Sequence, residues 1–274
     1  MTRLLNRYAL PWLALLLAGL AIDAGADISN EAKPDRIYDV EIILFRNEAV
    51  PRGRETVLPT PSPELPKGSF DFTNPASTAR AAKAGFLPLA EEQLQLQAER
   101  KRLDQSRRYR VLLHFGWRQP GLAAKDARAI RVRGGRFYDD SYASIDEALR
   151  GNPAEPDDQG KARPQQGLFE LEGWIRVSLS RYLHTEANLV LREPASEEQR
   201  MQSRDSLQSG ALDDLRQKLL INYPLKEKRR MRSKRLHYLD HPEYGMLVLI
   251  TPYQPAAEKS SNANNETAAP TAGQ

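Results

Sequence analysis

The chain has 274 residues, with 40 Lys+Arg against 36 Asp+Glu for a net charge of +4, and no cysteine. Without cysteine there is no disulfide framework, no thiolate metal ligation, no thiol nucleophile and no lipidated first mature residue. So small a charge surplus makes no general case for nucleic acid or membrane adhesion, and attention passes to local clusters.

Arg3 and Arg7 precede an apolar run over residues 9–22, and Ala24-Gly25-Ala26 offers small residues before Asp27. Basic residues, a short apolar run and a small-residue cleavage site predict a secretory signal peptide over 1–26. The run falls short of the roughly 18–20 apolar residues that a spanning helix needs. The expected product is an exported, periplasmic chain with no membrane anchor in its mature part.

Residues 38–46 (YDVEIILFR) alternate as a strand, with Tyr38, Val40, Ile42 and Leu44 on one face. Residues 51–66 carry five prolines and read as a solvated loop. A helix is predicted from Pro88 to about Gln105, with leucines at 89, 96 and 103, Glu91 and Glu92 in its first turn and basic residues near its end. A second strand follows, placing Tyr109, Val111, Leu113, Phe115 and Trp117 on one face, and this β-α-β order permits a parallel pair. Residues 129–138 form a strand kinked at Gly134-Gly135, by a turn or a bulge. Residues 152–166 show no apolar period and read as a loop. Residues 174–192 alternate for longer than strands usually run, which predicts a long bent strand or a break near Arg181. Residues 212–225 fit a helix first and a strand after Leu219.

The densest signal is residues 229–253, RRMRSKRLHYLDHPEYGMLVLITPY. A basic run leads through a turn punctuated by Pro242 and Gly245 into a strand with Met246, Val248 and Ile250 on one face and Leu247, Leu249 and Thr251 on the other. RRMRS followed by LHYLDHPEYGMLV, together with YDVEIILFR at 38–46 and RRYRVLLHFGWRQP at 107–120, resembles the CsiV-type peptidoglycan-binding family of proteobacterial envelopes. LDHPEYG and HFGWRQP are the specific segments, whereas residues 141–168 and 194–214 match nothing in that pattern. The resemblance implies an accessory protein that binds peptidoglycan and supports wall synthesis through an outer-membrane lipoprotein activator of a bifunctional penicillin-binding protein. The matched positions are Trp117, Arg118, Arg230, Arg232, Ser233, His237, Tyr238, Asp240, His241, Pro242 and Gly245.

Chemistry for catalysis is thin. There is no Gly-x-Ser-x-Gly elbow and no phosphate-binding glycine loop, and the paired aspartates lie in polar stretches. His237 and His241 stand four apart, but Pro242 follows directly and no Glu lies between them to activate water, so a turn is favoured over a zinc site with Asp240. Binding has better material: residues 226–235 hold seven basic residues in ten. Arginine grips carboxylates of stem peptides with a two-pronged fork, and aromatic rings offer flat faces to sugars. A solvated charged face is the plain alternative for the basic run, and core packing is the plain alternative for Trp117 and Trp174.

The expected protein is α+β, a mixed, mostly antiparallel sheet with one or two packing helices and long polar loops. One region over 27–253, divisible into lobes 36–120 and 128–253, precedes a disordered tail at 254–274. The expected function is non-catalytic peptidoglycan binding without cofactor or metal. Candidate contacts are Trp117, Arg118, Arg230, Arg232, Arg235, His237, Tyr238, Asp240 and His241. An envelope adaptor with no direct wall contact is the alternative, and a zinc-dependent wall hydrolase comes third.

Overall fold

Alternating apolar residues build ten strands in the computed structural model, which describes residues 36–50, 60–144, 167–201 and 218–254. The predicted signal peptide, the 152–166 loop, residues 212–217 of the predicted helix, and the tail beyond 254 lie outside the described residues.

The first sheet runs in the order β2 (Leu87–Pro88), β3 (Tyr109–Pro120), β1 (Ile37–Asn47), β10 (Tyr244–Pro252), β9 (Leu236–Asp240). The second runs β4 (Ala129–Tyr138), β6 (Leu168–Leu179), β7 (Leu183–Pro194), β8 (Lys218–Met231), β5 (Tyr142–Ser144). Val40, Ile42, Leu44, Met246, Val248 and Ile250 from the first sheet join Ile130, Ile175, Leu189, Ile221 and Leu225 from the second in one core cluster. Each such side chain contributes about 1.5–3 kcal/mol on burial, so this shared core is what binds the two sheets together. The other face of the first sheet carries a smaller cluster, in which Ile43, Phe45 and Leu96 pack with Leu103, Leu247 and Leu249. Both faces of β10 are therefore covered, as its double apolar alternation requires.

Among the described residues, all ladders are antiparallel except β5 with β8. The parallel pairing permitted for β1 and β3 is corrected: Asn47 at the end of β1 faces Tyr109 at the start of β3. The intervening chain returns to the end where β1 finished, and alternation alone carries no strand direction.

The helix expected from Pro88 starts later. Leu87 and Pro88 pair with β3, Glu91–Gln93 forms a single 3-10 turn, and α2 spans Gln97–Gln105, after α1 at Pro75–Lys83. The start of α2 is fixed from a distance: the buried Glu41 carboxylate accepts hydrogen bonds from the backbone N–H of Gln95 (2.7 Å) and Leu96 (2.8 Å). A carboxylate there both satisfies orphan donors and suits the positive helix end. Asn74 caps α1 by accepting from Ser77 N–H, with Pro75 at the first helical position.

The break near Arg181 is real, since β6 and β7 form a hairpin closed at Leu179↔Leu183. The Gly134-Gly135 kink is a bulge: register shifts between Gly134 and Phe137, and Gly135 takes φ +71°. Its cause is a buried acid. Glu170 accepts from Arg136 N–H (2.9 Å), Arg46 Nη1 (3.1 Å) and Arg110 Nη2 (2.5 Å), and a Cβ on Gly135 would stand 2.6 Å from Glu170 Oε2. Arg46 also reaches Glu193 at 2.8 Å, which ties β1 of one sheet to β6 and β7 of the other.

Candidate functional site

The basic run is folded into β8 and the turn after it. Along β8, strand alternation puts Lys226, Lys228 and Arg230 on one exposed face, about 6.7 Å apart in sequence steps of two. They face Asn188, Glu186 and His184 of β7 in register, while Leu225 and Met231 turn into the core. Beyond the three-residue pairing with β5, the other edge of β8 has no strand partner among the described residues. Cations on such an edge also discourage pairing with another chain, so the run has a structural use of its own.

Residues 232–235 carry the chain from the second sheet to the first. Lys234 adopts φ +60°, rare for a residue with a Cβ, and its N–H donates to Ile250 O at 2.8 Å. His237 Nε2 lies 3.0 Å from Arg232 N and 3.1 Å from Arg232 O, so the ring fastens the turn to the first residues of β9. Arg229 Nη1 donates to Tyr238 O at 2.6 Å. The outcome is a ridge of Lys226, Lys228, Arg230, Arg232, Lys234 and Arg235, all exposed and none in an ion pair with a carboxylate among the described residues. The Arg230 guanidinium stacks 4.6 Å from the ring centroid of Tyr182, which is 43 % exposed. A flat cation on a flat ring makes a platform able to take an anion on one side and an apolar face on the other.

Of the predicted residues, Arg232 and His237 are in contact, Arg230 lies at the end of β8 on Tyr182, and Arg235 is exposed in the connecting turn. Tyr238 and Asp240 are separate, on the opposite face of β9: Tyr238 stacks on Phe45 (6.1 Å, 12°) and its hydroxyl donates to Asp240 Oδ1 at 2.5 Å. Partial burial and the Asp240 carboxylate both hold the Tyr238 phenol above its ordinary range. His241 lies at the far end of β9, about 13 Å from His237 by four strand steps. Its Nδ1 accepts from Glu243 N–H at 3.1 Å, and its backbone exchanges hydrogen bonds with Tyr244, so it closes the β9–β10 turn. At that separation His237 and His241 do not ligate one ion.

Two candidates are corrected. Trp117 is 0 % exposed in the core, donates to Gln119 Oε1 at 2.8 Å, and stacks with Phe115, so its ring is closed to a sugar. Its phase with the apolar side of β3 dictated that. Arg118 forms a two-pronged pair with Asp39 (2.7 and 2.9 Å) and lies over Tyr253, three strand spacings or about 14 Å from β9. The Asp39 hydrogen bonds raise its pKa further, and the guanidinium is committed to joining β1 and β3.

Sequence reasoning missed the alternation that sorts the basic run into one exposed row, although LKEKRRM contains it. It also missed a cleft on the outer face of the second sheet, of about 620 Å³, lined by Arg131, Arg133, Arg192, Glu172, Phe137 and Phe169 among others. The only local signal was IRVR at 130–133, which puts two arginines on the face opposite Ile130 and Val132.

Residues 12–253 match the family described as "Peptidoglycan-binding protein, CsiV". No curated protein and no solved structure matches the chain.

Proposed function

The chain belongs to the CsiV family of peptidoglycan-binding proteins, and from that membership we propose that it binds the wall through the ridge formed by β8 and the turn to β9. The observation carrying this reading is the row of exposed cations at 226, 228, 230, 232, 234 and 235 that pair with no carboxylate among the described residues. Stem peptides of peptidoglycan present free carboxylates at repeated intervals, and a row of forks and ammonium groups suits them. Tyr182 beside Arg230 adds a flat surface for the apolar face of a sugar.

Binding in this reading is non-catalytic. His237 and Tyr238 hold backbone and carboxylate partners of the turn and the β9 edge, and their role is to shape the ridge. The protein acts in the periplasm after export, consistent with the basic-apolar-small pattern of residues 1–26; no helix among the described residues is long and apolar enough to cross a membrane. Its contribution to wall synthesis passes through a lipoprotein activator of a penicillin-binding protein, as the family resemblance implies.

The test is co-sedimentation of purified protein with protein-free sacculi, comparing wild type with the double variant Arg230→Ala, Arg232→Ala. Exposed charge pairs contribute about 0.2–1 kcal/mol each, so loss of two weakens retention about two- to thirtyfold with the fold intact. Undiminished retention by the folded double variant contradicts the ridge. Retention of neither protein, with capture of an envelope lipoprotein instead, supports an adaptor in place of a wall binder.

A further inference from the structure

The cleft on the outer face of the second sheet lies on the same surface as the ridge. Register runs Arg131↔Trp174, Trp174↔Asn188 and Asn188↔Lys226, so one cross-strand row joins β4 to β8. Residues 60–64 lie across this row: Asn222 Nδ2 donates to Thr60 O (2.7 Å), Arg192 Nη2 to Ser62 Oγ (3.0 Å), and Trp174 Nε1 to Glu64 O (3.0 Å). Ridge and cleft flank that segment: Lys226 stands three strand spacings, about 14 Å, from Arg131, and Arg230 lies four residues further along β8.

Inside the cleft, Glu172 bridges Arg131 (2.7 Å) and Arg192 (3.0 Å), and Arg133 binds Asp71 (2.6 Å) and Thr73 (2.7 Å). Three guanidinium groups thus meet two carboxylates, leaving the cleft positive. These contacts use only part of the five donors on each guanidinium. Arg192 is 1 % exposed, yet its Nε has no partner among the described residues. One wall is apolar: Phe169 lies under Arg133 (5.5 Å) and edge-on to Phe137 (5.3 Å, 66°), and Phe137 stays 59 % exposed. Arg192 is buried while Arg131 and Arg133 are partly exposed, so the open ring of Phe137 borders guanidinium groups that solvent reaches only in part. The volume falls within the range of small-ligand sites, roughly 300–1,000 Å³.

We propose that this cleft is a second subsite, which takes the peptide part of the ligand: a free carboxylate beside Arg131 and Arg133, and an aliphatic portion of the same short peptide against Phe137. The inference rests on the wall-binding reading above and names the component recognised away from the ridge. A peptide-free glycan keeps only the lactyl carboxylate of each muramic acid and offers no aliphatic peptide portion to Phe137, so selectivity for the stem peptide arises in this cleft.

Titration calorimetry of purified full-length protein tests it, with three probes: a soluble muropeptide, the free stem peptide released by an amidase, and glycan chains stripped of peptide. Wild type binds the first two more tightly than the third. Arg133→Gln weakens stem-peptide binding about tenfold, and Phe137→Ala weakens it about threefold while leaving the melting temperature unchanged, the second guarding against misfolding of the first. Stem-peptide affinity equal to wild type in folded Phe137→Ala and Arg133→Gln overturns the cleft, while sacculus retention in the same preparations keeps the wall-binding reading intact. Wild type that prefers peptide-free glycan also overturns the cleft alone. Wild type retained by neither sacculi nor any probe overturns both.

Discussion

Replacing Glu170 by Gln strikes the polar joint between the sheets. The carboxylate is fully buried and serves Arg46 (side chain 5 % exposed) at 3.1 Å, Arg110 at 2.5 Å, and Arg136 N–H at 2.9 Å. Glutamine keeps the volume and one acceptor oxygen but removes the charge that offsets a buried guanidinium. Breaking one side of a buried ion pair costs about 3–5 kcal/mol, and since Arg46 retains Glu193 at 2.8 Å the low end applies, about 3 kcal/mol. For a domain of this size that lowers Tm by about 6–12 °C. Burial alone would raise the pKa of Glu170; the Arg110 hydrogen bond, the Arg136 N–H and Arg46 outweigh it and hold the group below its ordinary 4.5. A folded-state pKa below the unfolded one gives stability that is complete above the unfolded value and fades as pH falls through the folded value. The gap between wild type and Glu170→Gln is therefore widest near neutrality and closes in acid below pH 4.5. Urea denaturation followed by tryptophan fluorescence at pH 7 and at about pH 3 measures it. Equal stability at pH 7, or a gap unchanged in acid, refutes the reasoning.

Other substitutions probe the same logic elsewhere. Gly135→Ala puts a Cβ 2.6 Å from Glu170 Oε2 at φ +71° and should cost at least about 1–2 kcal/mol in thermal unfolding; a neutral effect would mean the bulge relaxes freely. Glu41→Gln should weaken the start of α2 by about 1 kcal/mol, read as faster amide exchange at Gln95 and Leu96 while β10 amides are unchanged. Lys234→Gly should raise the urea midpoint, because glycine relieves about 1 kcal/mol at φ +60°; a lowered midpoint would show that the Lys234 side chain stabilises the turn.

Strands were legible because two-residue alternation is a local property, and β1, β4 and the β6–β7 hairpin fall where it placed them; in β3 a register shift opposite Leu44 and Phe45 turns Tyr109 and Val111 to the smaller cluster, away from the face of Leu113, Phe115 and Trp117. Direction was not, since antiparallel β1 and β3 differ from a parallel pair only in where the intervening chain returns. The start of α2 was hidden because its capping carboxylate, Glu41, sits 54 residues before Gln95. At the candidate site, charge density at 226–235 could be read directly, and Trp117 in phase with Leu113 and Phe115 already pointed inward. The cleft was not readable. Asp71, Arg131, Glu172 and Arg192 come from distant stretches, and only the pairing of β4, β6 and β7 brings them together. Glu170 shows the same limit, because its parity along β6 matches the outward Glu172 while the Gly134-Gly135 bulge accompanies an inward carboxylate.

If exposed cations hold this protein to the wall, as proposed, salt tests it most directly. Purified wild-type protein should co-sediment with protein-free sacculi at low ionic strength and release progressively as salt rises toward 1 M, where the screening length falls to about 3 Å. Retention indifferent to salt, or none at low ionic strength, would contradict it.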